Sequence, residues 1–221
     1  MAKLVEMSEI IKLFQDGQSL MVGGFGLVGC PLTLVEGLLE SGVKDLTIIS
    51  NNLGEPGRGL GKLVLNRRVK KGIGSYFTSN KDVVQAYLKG ELEIELLPQG
   101  TMAEAIRAGG AGIGGFYVTT GVGTELAKGK ETRVIDGITY VFQKPLKADI
   151  ALIKAKKADR YGNLVYDKSS RNFNPVMATA AKTVIAEVDE VVEVGQLSPE
   201  EIVTPHLYID YLVLKEEACY R

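Results

Sequence analysis

Histidine is almost missing from this sequence. His206 is the only one among 221 residues, so it cannot build a multi-histidine metal site, no Cys-x-x-Cys pair exists to replace it, and a structural metal is not expected. The same scarcity argues against a Ser-His-Asp hydrolase. His206 would have to be the base, yet no Gly-x-Ser-x-Gly elbow presents a serine, and between Pro205 and Leu207 it reads as an ordinary loop or surface residue. Cysteine is scarce too. Cys30 and Cys219 are too few for a disulfide framework, and Cys30, just ahead of Pro31, reads as a small space-filler rather than a nucleophile. Neither sign of charge is in excess: 26 Lys and Arg face 27 Asp and Glu, a formal charge of -1, so no overall field draws nucleic acid or an anionic membrane, and any phosphate binding must be local. No apolar run approaches bilayer length, and the opening residues Met1 to Glu9 lack the apolar centre of a secretory signal. A cytoplasmic location is therefore expected. Repeats, heptads and low-complexity tracts are absent as well.

What is present is glycine, placed with purpose. Residues 16–31 run an apolar strand, Leu20 to Val22, into Gly23, Gly24, Phe25, Gly26, Leu27, Val28 and Gly29, and then into Cys30 and Pro31. Glycines accept positive φ and lack a Cβ, so ligand atoms can approach the backbone and meet several N–H groups. Pro31 suits the first position of a helix over Leu32 to Leu39, whose positive end would face the loop. A negatively charged or strongly polarised ligand is expected there. The bland reading is that the glycines merely allow tight strand-to-helix packing. Gly24, Gly26 and Gly29 also fit the dinucleotide spacing G-x-G-x-x-G, but that site needs a carboxylate closing the second strand. The second strand, Leu46 to Ser50, closes on Asn51 and Asn52 instead.

The rest of the chain alternates strands with helices. A capped helix is expected from Ser8 to Phe14, then strand, helix and strand up to Ser50, and a Gly- and Pro-rich loop from Asn51 to Gly61. A short strand near Ile73 to Tyr76 and a helix over Asp82 to Leu88 follow. Residues 91–97 alternate polar and apolar and deliver Pro98-Gln99-Gly100, ahead of a helix over Met102 to Ala108. Asp136-Gly137 marks a hairpin inside Thr132 to Phe142, and Ile150 to Lys154, Val184 to Glu187 and Tyr211 to Leu214 read as further strands. The expected fold class is α/β: one domain, 1–221, with a single open, largely parallel sheet, flanking helices and a small β-hairpin insertion. In a parallel sheet the loops Gly23 to Cys30, Asn51 to Gly61 and Pro98 to Gly100 all lie at one edge and can converge on one crevice.

The order Asp16, Gly17, two free positions, Leu20-Met21-Val22, Gly23-Gly24-Phe25, three free positions, Gly29 and Pro31 resembles the first signature of the family I coenzyme A transferases. Ser50-Asn51-Asn52, Pro98-Gln99-Gly100-Thr101, Arg107-Ala108-Gly109-Gly110-Ala111-Gly112, Thr120-Gly121-Val122-Gly123-Thr124, Lys157-Ala158-Asp159 and Arg171-Asn172-Phe173-Asn174 are similar to the A (alpha) subunit of that family. The similarity covers nearly the whole chain. It implies the family's fold, shared with sugar-phosphate isomerases, and ping-pong transfer of CoA between an acyl-CoA (acetyl-, butyryl- or succinyl-CoA) and a short-chain or 3-oxo acid such as acetoacetate, the chemistry of short-chain fatty acid and ketone body metabolism.

In that family a glutamate in a Ser-Glu-Asn-Gly type sequence carries CoA as a thioester, and it sits on the B subunit. Nothing in this chain reads Glu-Asn-Gly. Glu55, in a loop, and Glu104, on a helix, are the nearest carboxylates, so the resemblance implies half an active site and a heterotetramer with a B subunit. It further implies Gln99 as oxyanion donor, Asn51, Asn52 and Gly100 near the acyl group, and Gly23, Gly24, Phe25, Gly26, Leu27, Val28 and Gly29 toward coenzyme A. Coenzyme A is a substrate here, with no tightly bound cofactor and no metal. The glycines from Gly109 to Gly115 suggest a wall of the shared site. The run Arg67-Arg68-Val69-Lys70-Lys71 could meet phosphate but reads first as a solvated face. Two rival readings remain: a stand-alone sugar-phosphate isomerase or deaminase, and a noncatalytic binding subunit.

Overall fold

The computed structural model describes residues 2–220. Twelve strands are present: β1 (Lys3–Leu4), β2 (Ser19–Val22), β3 (Leu46–Ile49), β4 (Val69–Gly74), β5 (Glu93–Leu96), β6 (Phe116–Val118), β7 (Thr132–Ile135), β8 (Ile138–Gln143), β9 (Ala148–Asp159), β10 (Leu164–Val165), β11 (Ala181–Val192) and β12 (Tyr211–Leu214). The large sheet has the order β1-β12-β11-β9-β2-β3-β4-β5, every neighbour parallel, with β10 added antiparallel on β9. After β1, which lies at the outer edge beside β12, the chain enters the middle at β2, builds outward through β3, β4 and β5, then returns to lay β9 on the other side of β2. That reversal makes the junction of β2 and β9 the place where such sheets usually open a ligand crevice.

Six α-helices cover the two faces: α1 (Met7–Ile10), α2 (Leu32–Glu40), α3 (Leu60–Leu65), α4 (Lys81–Leu88), α5 (Gln99–Gly110) and α6 (Asn174–Ala178). Strand residues alternate between faces. Leu20, Val22, Leu46 and Ile48 join the core that includes Leu34, Leu38 and Leu63 of α2 and α3. Met21, Ile49, Ile73 and Ile153 join the opposite core with Met102 and Ile106 of α5 and Met177 of α6. Both faces are thus covered, as a parallel sheet requires.

The hairpin insertion is present, and β6 enlarges it to a separate antiparallel sheet in the order β6-β8-β7. Asp136 and Gly137 turn it with φ of 50° and 77°, the paired left-handed geometry of a tight hairpin. Several local expectations are corrected. The first helix begins at Met7 with Glu6, not Ser8, before it, and tightens to 3-10 geometry over Ile11–Leu13. α5 begins at Gln99 rather than Met102, and Pro31 precedes α2 rather than opening it. β4 starts at Val69, and α3 follows the Asn51 to Gly61 loop where no helix was expected.

Candidate functional site

Three neighbouring strand ends build one polar cluster. β3, β4 and β5 are in register with Ile49 opposite Ile73 and Gly74 opposite Leu96, so the residues following each strand emerge side by side. Asn51 follows β3, Ser75 follows β4, and Gln99 opens α5 just after β5. Asn51 Nδ2 donates to Ser75 Oγ at 3.0 Å and to Gln99 Oε1 at 3.3 Å. The Asn51 carbonyl accepts from Ser75 N at 3.0 Å and Tyr76 N at 3.2 Å, and also from Ser75 Oγ at 3.2 Å. Asn51 is 1% exposed, whereas Gln99 lies open at the edge. A glutamine amide held by its oxygen presents its N–H pair outward, which suits it to stabilise negative charge on a reacting carbonyl oxygen. Asn52 is half-buried next to Asn51. Gly100 is exposed, with open space where a Cβ would stand. The four residues expected around an acyl group therefore share one sheet edge, joined by Ser75, which sequence reasoning missed.

The glycine loop after β2 is organised by the chain itself. A Cβ on Gly23 would stand 1.8 Å from Asn174 Oδ1, and one on Gly29 would stand 2.3 Å from the Ser170 carbonyl. Gly24 N donates to Asn172 Oδ1 at 3.1 Å, Asn172 Nδ2 to the Val28 carbonyl at 2.9 Å, and Asn174 Nδ2 to the Gly29 carbonyl at 3.0 Å. Lys154 N in turn donates to Asn174 Oδ1 at 2.8 Å. Phe25 and Val28 close a tight turn on each other, N to O 2.9 and 3.2 Å, which puts Gly26 and Leu27 at its tip and leaves both Phe25 (53%) and Val28 (51%) well exposed. The loop after β3 repeats this form, with Glu55 and Arg58 bonded to each other at 3.3 and 3.0 Å. Among the described residues, Gly26, Leu27 and Gly29 are the loop residues whose N–H groups have no partner.

The positive end of α2 is occupied. Glu187, on β11 and wholly buried, accepts through Oε2 from Thr33 N at 2.8 Å and Leu34 N at 3.3 Å. Its Oε1 lies 3.3 Å from Lys154 Nζ and accepts from the Tyr220 hydroxyl. Tyr220 OH itself accepts from Leu32 N at 3.3 Å. Burial pushes the Glu187 carboxyl above the usual range, against the pull of Lys154, Tyr220 and the Leu34 amide. The expectation that this helix end faces an external anion is thus corrected: a carboxylate of the same chain fills it. A sugar phosphate loses its natural seat here. Burial also pushes the Cys30 thiol up, with the Glu187 charge adding to the effect, so Cys30 is a neutral filler.

Other candidates resolve into structural roles. Gly109 and Gly110 let α5 pack closely, since a Cβ would meet the Leu146 carbonyl at 1.9 Å and Thr179 Oγ1 at 2.2 Å. They lie about 15 Å along α5 from Gln99, so within this chain they make room for packing and not for a ligand. Asp159 bonds the N–H groups of Tyr161, Gly162 and Asn163 at 2.9–3.0 Å and thereby fixes the turn into β10. Arg67 pairs with Glu91 at 2.8 Å and Lys71 with Glu95 at 2.6 Å, and the basic run sits where β4 begins, the end of the strand opposite Ser75. His206 is exposed, its N–H bonded to Asn163 Oδ1 at 2.9 Å.

Residues 4–215 match the family model described as coenzyme A transferase. The chain belongs to that family. It is 51% identical over 215 residues to the A subunit of a probable succinyl-CoA:3-ketoacid coenzyme A transferase of Bacillus subtilis, covering 97% of this chain and 90% of that one. It is 47% identical over 216 residues to the alpha subunit of the acetate CoA-transferase of Escherichia coli K12, covering 98% of each. An acyl-CoA transferase from E. coli O157:H7, solved as a thioester complex with CoA, superposes with a TM-score of 0.88 at 21% identity, which establishes the fold. That superposition covers 97% of this chain and 47% of the other, so the chain spans about half the length of that solved polypeptide.

In this coenzyme A transferase chain three carboxylates on the elements around the amide cluster have cationic partners. Glu95 pairs with Lys71 at 2.6 Å, Glu104 with Arg107 at 2.5 Å and Glu55 with Arg58 at 3.5 Å. The Arg107 hydrogen bond holds Glu104 below the usual carboxylate range. Among the described residues no group of three or more His, Cys, Asp or Glu is placed to hold a metal ion, and no helix is long and apolar enough to cross a membrane.

Proposed function

We propose that this chain is the A (alpha) half of a heteromeric CoA transferase that moves CoA between an acyl-CoA and a short-chain or 3-oxo acid. The succinyl-CoA:3-ketoacid and acetate specificities named for its relatives bound the acids to test. A glutamate of the B subunit makes the first attack, on the thioester carbonyl, and the tetrahedral oxyanion collapses to a mixed anhydride as the CoA thiolate leaves. The thiolate then attacks the glutamyl carbonyl, releases the first acid and leaves a glutamyl-CoA thioester, which the second acid takes over by the reverse steps. Gln99 Nε2 donates to the oxyanion at each tetrahedral stage. Asn51, Asn52 and Gly100 border the acyl group, and the Gly23 to Gly29 loop borders the CoA arm.

The observation that carries this reading is the cluster of Asn51, Ser75 and Gln99: a neutral donor whose oxygen is held, with no carboxylate in the hydrogen-bonded group. Such a cluster can stabilise an oxyanion and leaves the attacking carboxylate to another source. Co-expression with a glutamate-bearing B subunit, followed by an assay of CoA transfer to acetate, succinate and acetoacetate, tests it. The complex is expected to turn over and the chain alone to be inert, and Gln99→Ala lowers kcat of the complex by about 10²-fold or more. A thioester adduct on any glutamate of this chain would overturn the reading.

A further inference from the structure

We propose that Ser75, together with Asn51, is a positioning residue that fixes the flip of the Gln99 amide, so that Nε2 and not Oε1 faces the reacting carbonyl. The inference rests on Gln99 being the oxyanion donor and adds what makes it face the right way. The two ends of a glutamine amide have nearly the same shape and its last torsion is broad and two-fold. Hydrogen-bond partners alone decide which end points out. With Oε1 outward, a partial negative charge would oppose the developing oxyanion.

The cluster has a direction that begins at an atom unable to flip. The backbone carbonyl of Asn51 lies 3.2 Å from Ser75 Oγ and takes its single proton, which leaves a hydroxyl lone pair for Asn51 Nδ2 at 3.0 Å. That bond fixes the Asn51 amide with its nitrogen inward, and its second N–H then points at Gln99 Oε1, 3.3 Å away. Ser75 Oγ lies 3.5 Å from the same oxygen, but its proton is committed to the Asn51 carbonyl, so its part is to fix the Asn51 amide. The Asn51 Nδ2–H is the donor that Gln99 meets on its inner side, so its oxygen turns in and its NH2 turns out. Asn51 is nearly fully buried, so its amide depends on these protein partners rather than on water. The three residues ride on three adjacent strand ends of one parallel sheet, the rigid support that a precise donor needs.

The test uses the reconstituted A–B complex. Ser75→Ala is expected to lower kcat about fivefold while KM for the acyl-CoA stays within about twofold, and Ser75→Thr, which keeps the hydroxyl, restores the rate. Asn51→Asp puts an acceptor where the donor stood and draws the Gln99 NH2 inward, lowering kcat about 10²-fold at neutral pH. Protonating the new carboxylate makes it a donor again, so the ratio of variant to wild-type kcat rises as pH falls. The charged groups on the flanking elements are Glu95 with Lys71, Glu104 with Arg107, and Glu55 with Arg58, and Tyr76 follows β4. They are common to both proteins and cancel in that ratio. An Asn51→Asp complex at wild-type kcat, a deficit that acid does not relieve, or losses confined to KM would overturn the inference. Should Asn51→Asp fail to fold, the Ser75→Ala and Ser75→Thr pair decides: equal rates for both overturn it. A Gln99→Ala complex at full rate would instead bring down the underlying assignment, a result distinct from all of these.

Discussion

Replacing Glu187 with alanine tests the claim that an internal carboxylate anchors α2 and, through it, the glycine loop. Two buried N–H groups, Thr33 N at 2.8 Å and Leu34 N at 3.3 Å, lose their acceptor, and each orphaned amide costs about 1–3 kcal/mol. Lys154 loses one of its two anionic partners but keeps Asp189 at 2.5 Å, which limits that part of the damage. The total is about 3–5 kcal/mol, the range for removing one member of a buried charged pair. For a chain of this length that is a fall of roughly 6–20 °C in the unfolding midpoint, measurable by calorimetry or by circular dichroism. Glu187→Gln keeps an oxygen for the two amides and removes a charge that burial already disfavours, so it costs less than about 2 kcal/mol. Asp189→Ala, a change at a half-exposed partner, shifts stability by less than about 1 kcal/mol. An alanine variant within about 1 kcal/mol of wild type would refute the anchoring. A glutamine variant as damaged as the alanine one would show that charge pairing with Lys154, not the helix amides, holds this site.

The loop glycines divide by the space they leave. Gly23→Ala drives a Cβ into the buried, fully bonded Asn174 amide and should cost about 2–4 kcal/mol in urea unfolding. Gly100→Ala meets nothing in this chain and should leave stability unchanged or raise it by up to about 1 kcal/mol, while kcat/KM of the A–B complex falls if acyl groups approach that backbone; unchanged kinetics would remove Gly100 from the site. Asp149, bonded to Lys182 and Ser19, has its pKa lowered to about 2, below the unfolded value of about 3.9. Its stabilisation is therefore complete above about pH 4 and is lost as pH falls toward 2. Asp149→Asn should flatten the acid limb of an unfolding curve over that window, and an unaltered limb would show that Asp149 is not what sets it.

Much of the frame is readable along the chain because a parallel sheet writes itself as short apolar runs separated by glycine and proline. Leu20 to Val22, Leu46 to Ile49 and the turn at Asp136-Gly137 all stand where periodicity and turn chemistry put them. α3 is hidden because Leu60-Gly61-Lys62-Leu63 opens on glycines and follows a loop without an N-cap side chain. The long strands β9 and β11 extend past their apolar centres because they pair with each other over ten registered positions, from Ala181 with Ala148 to Val192 with Asp159, support that no local pattern conveys. The same division runs through the site. Gln99 and Asn51 stand out as polar residues at strand ends, but Ser75 matters only through the register of β4 with its neighbours. Glu187 and Tyr220 act on a helix more than 150 residues earlier in the chain, and nothing near them in sequence hints at it.

These contacts divide the carboxyl edge of the sheet into two unlike halves. Around β2, β9 and β11 the donors and acceptors are largely matched within the chain: Asn172 and Asn174 hold the glycine loop, and Glu187 closes the end of α2. Around β3, β4 and β5 the matching is incomplete at the NH2 of Gln99, an exposed residue whose amide oxygen is held. A helix end already neutralised by a buried carboxylate has little attraction left for a phosphate, whereas a preorganised neutral amide favours charge that appears only during reaction. With Gln99 as the proposed oxyanion donor, selectivity for the transition state over the ground state would belong to the β3–β5 half. On the same proposal the β2 half contributes shape, through the exposed turn of Phe25 to Val28, and loss of that turn's form should appear in KM before it appears in kcat.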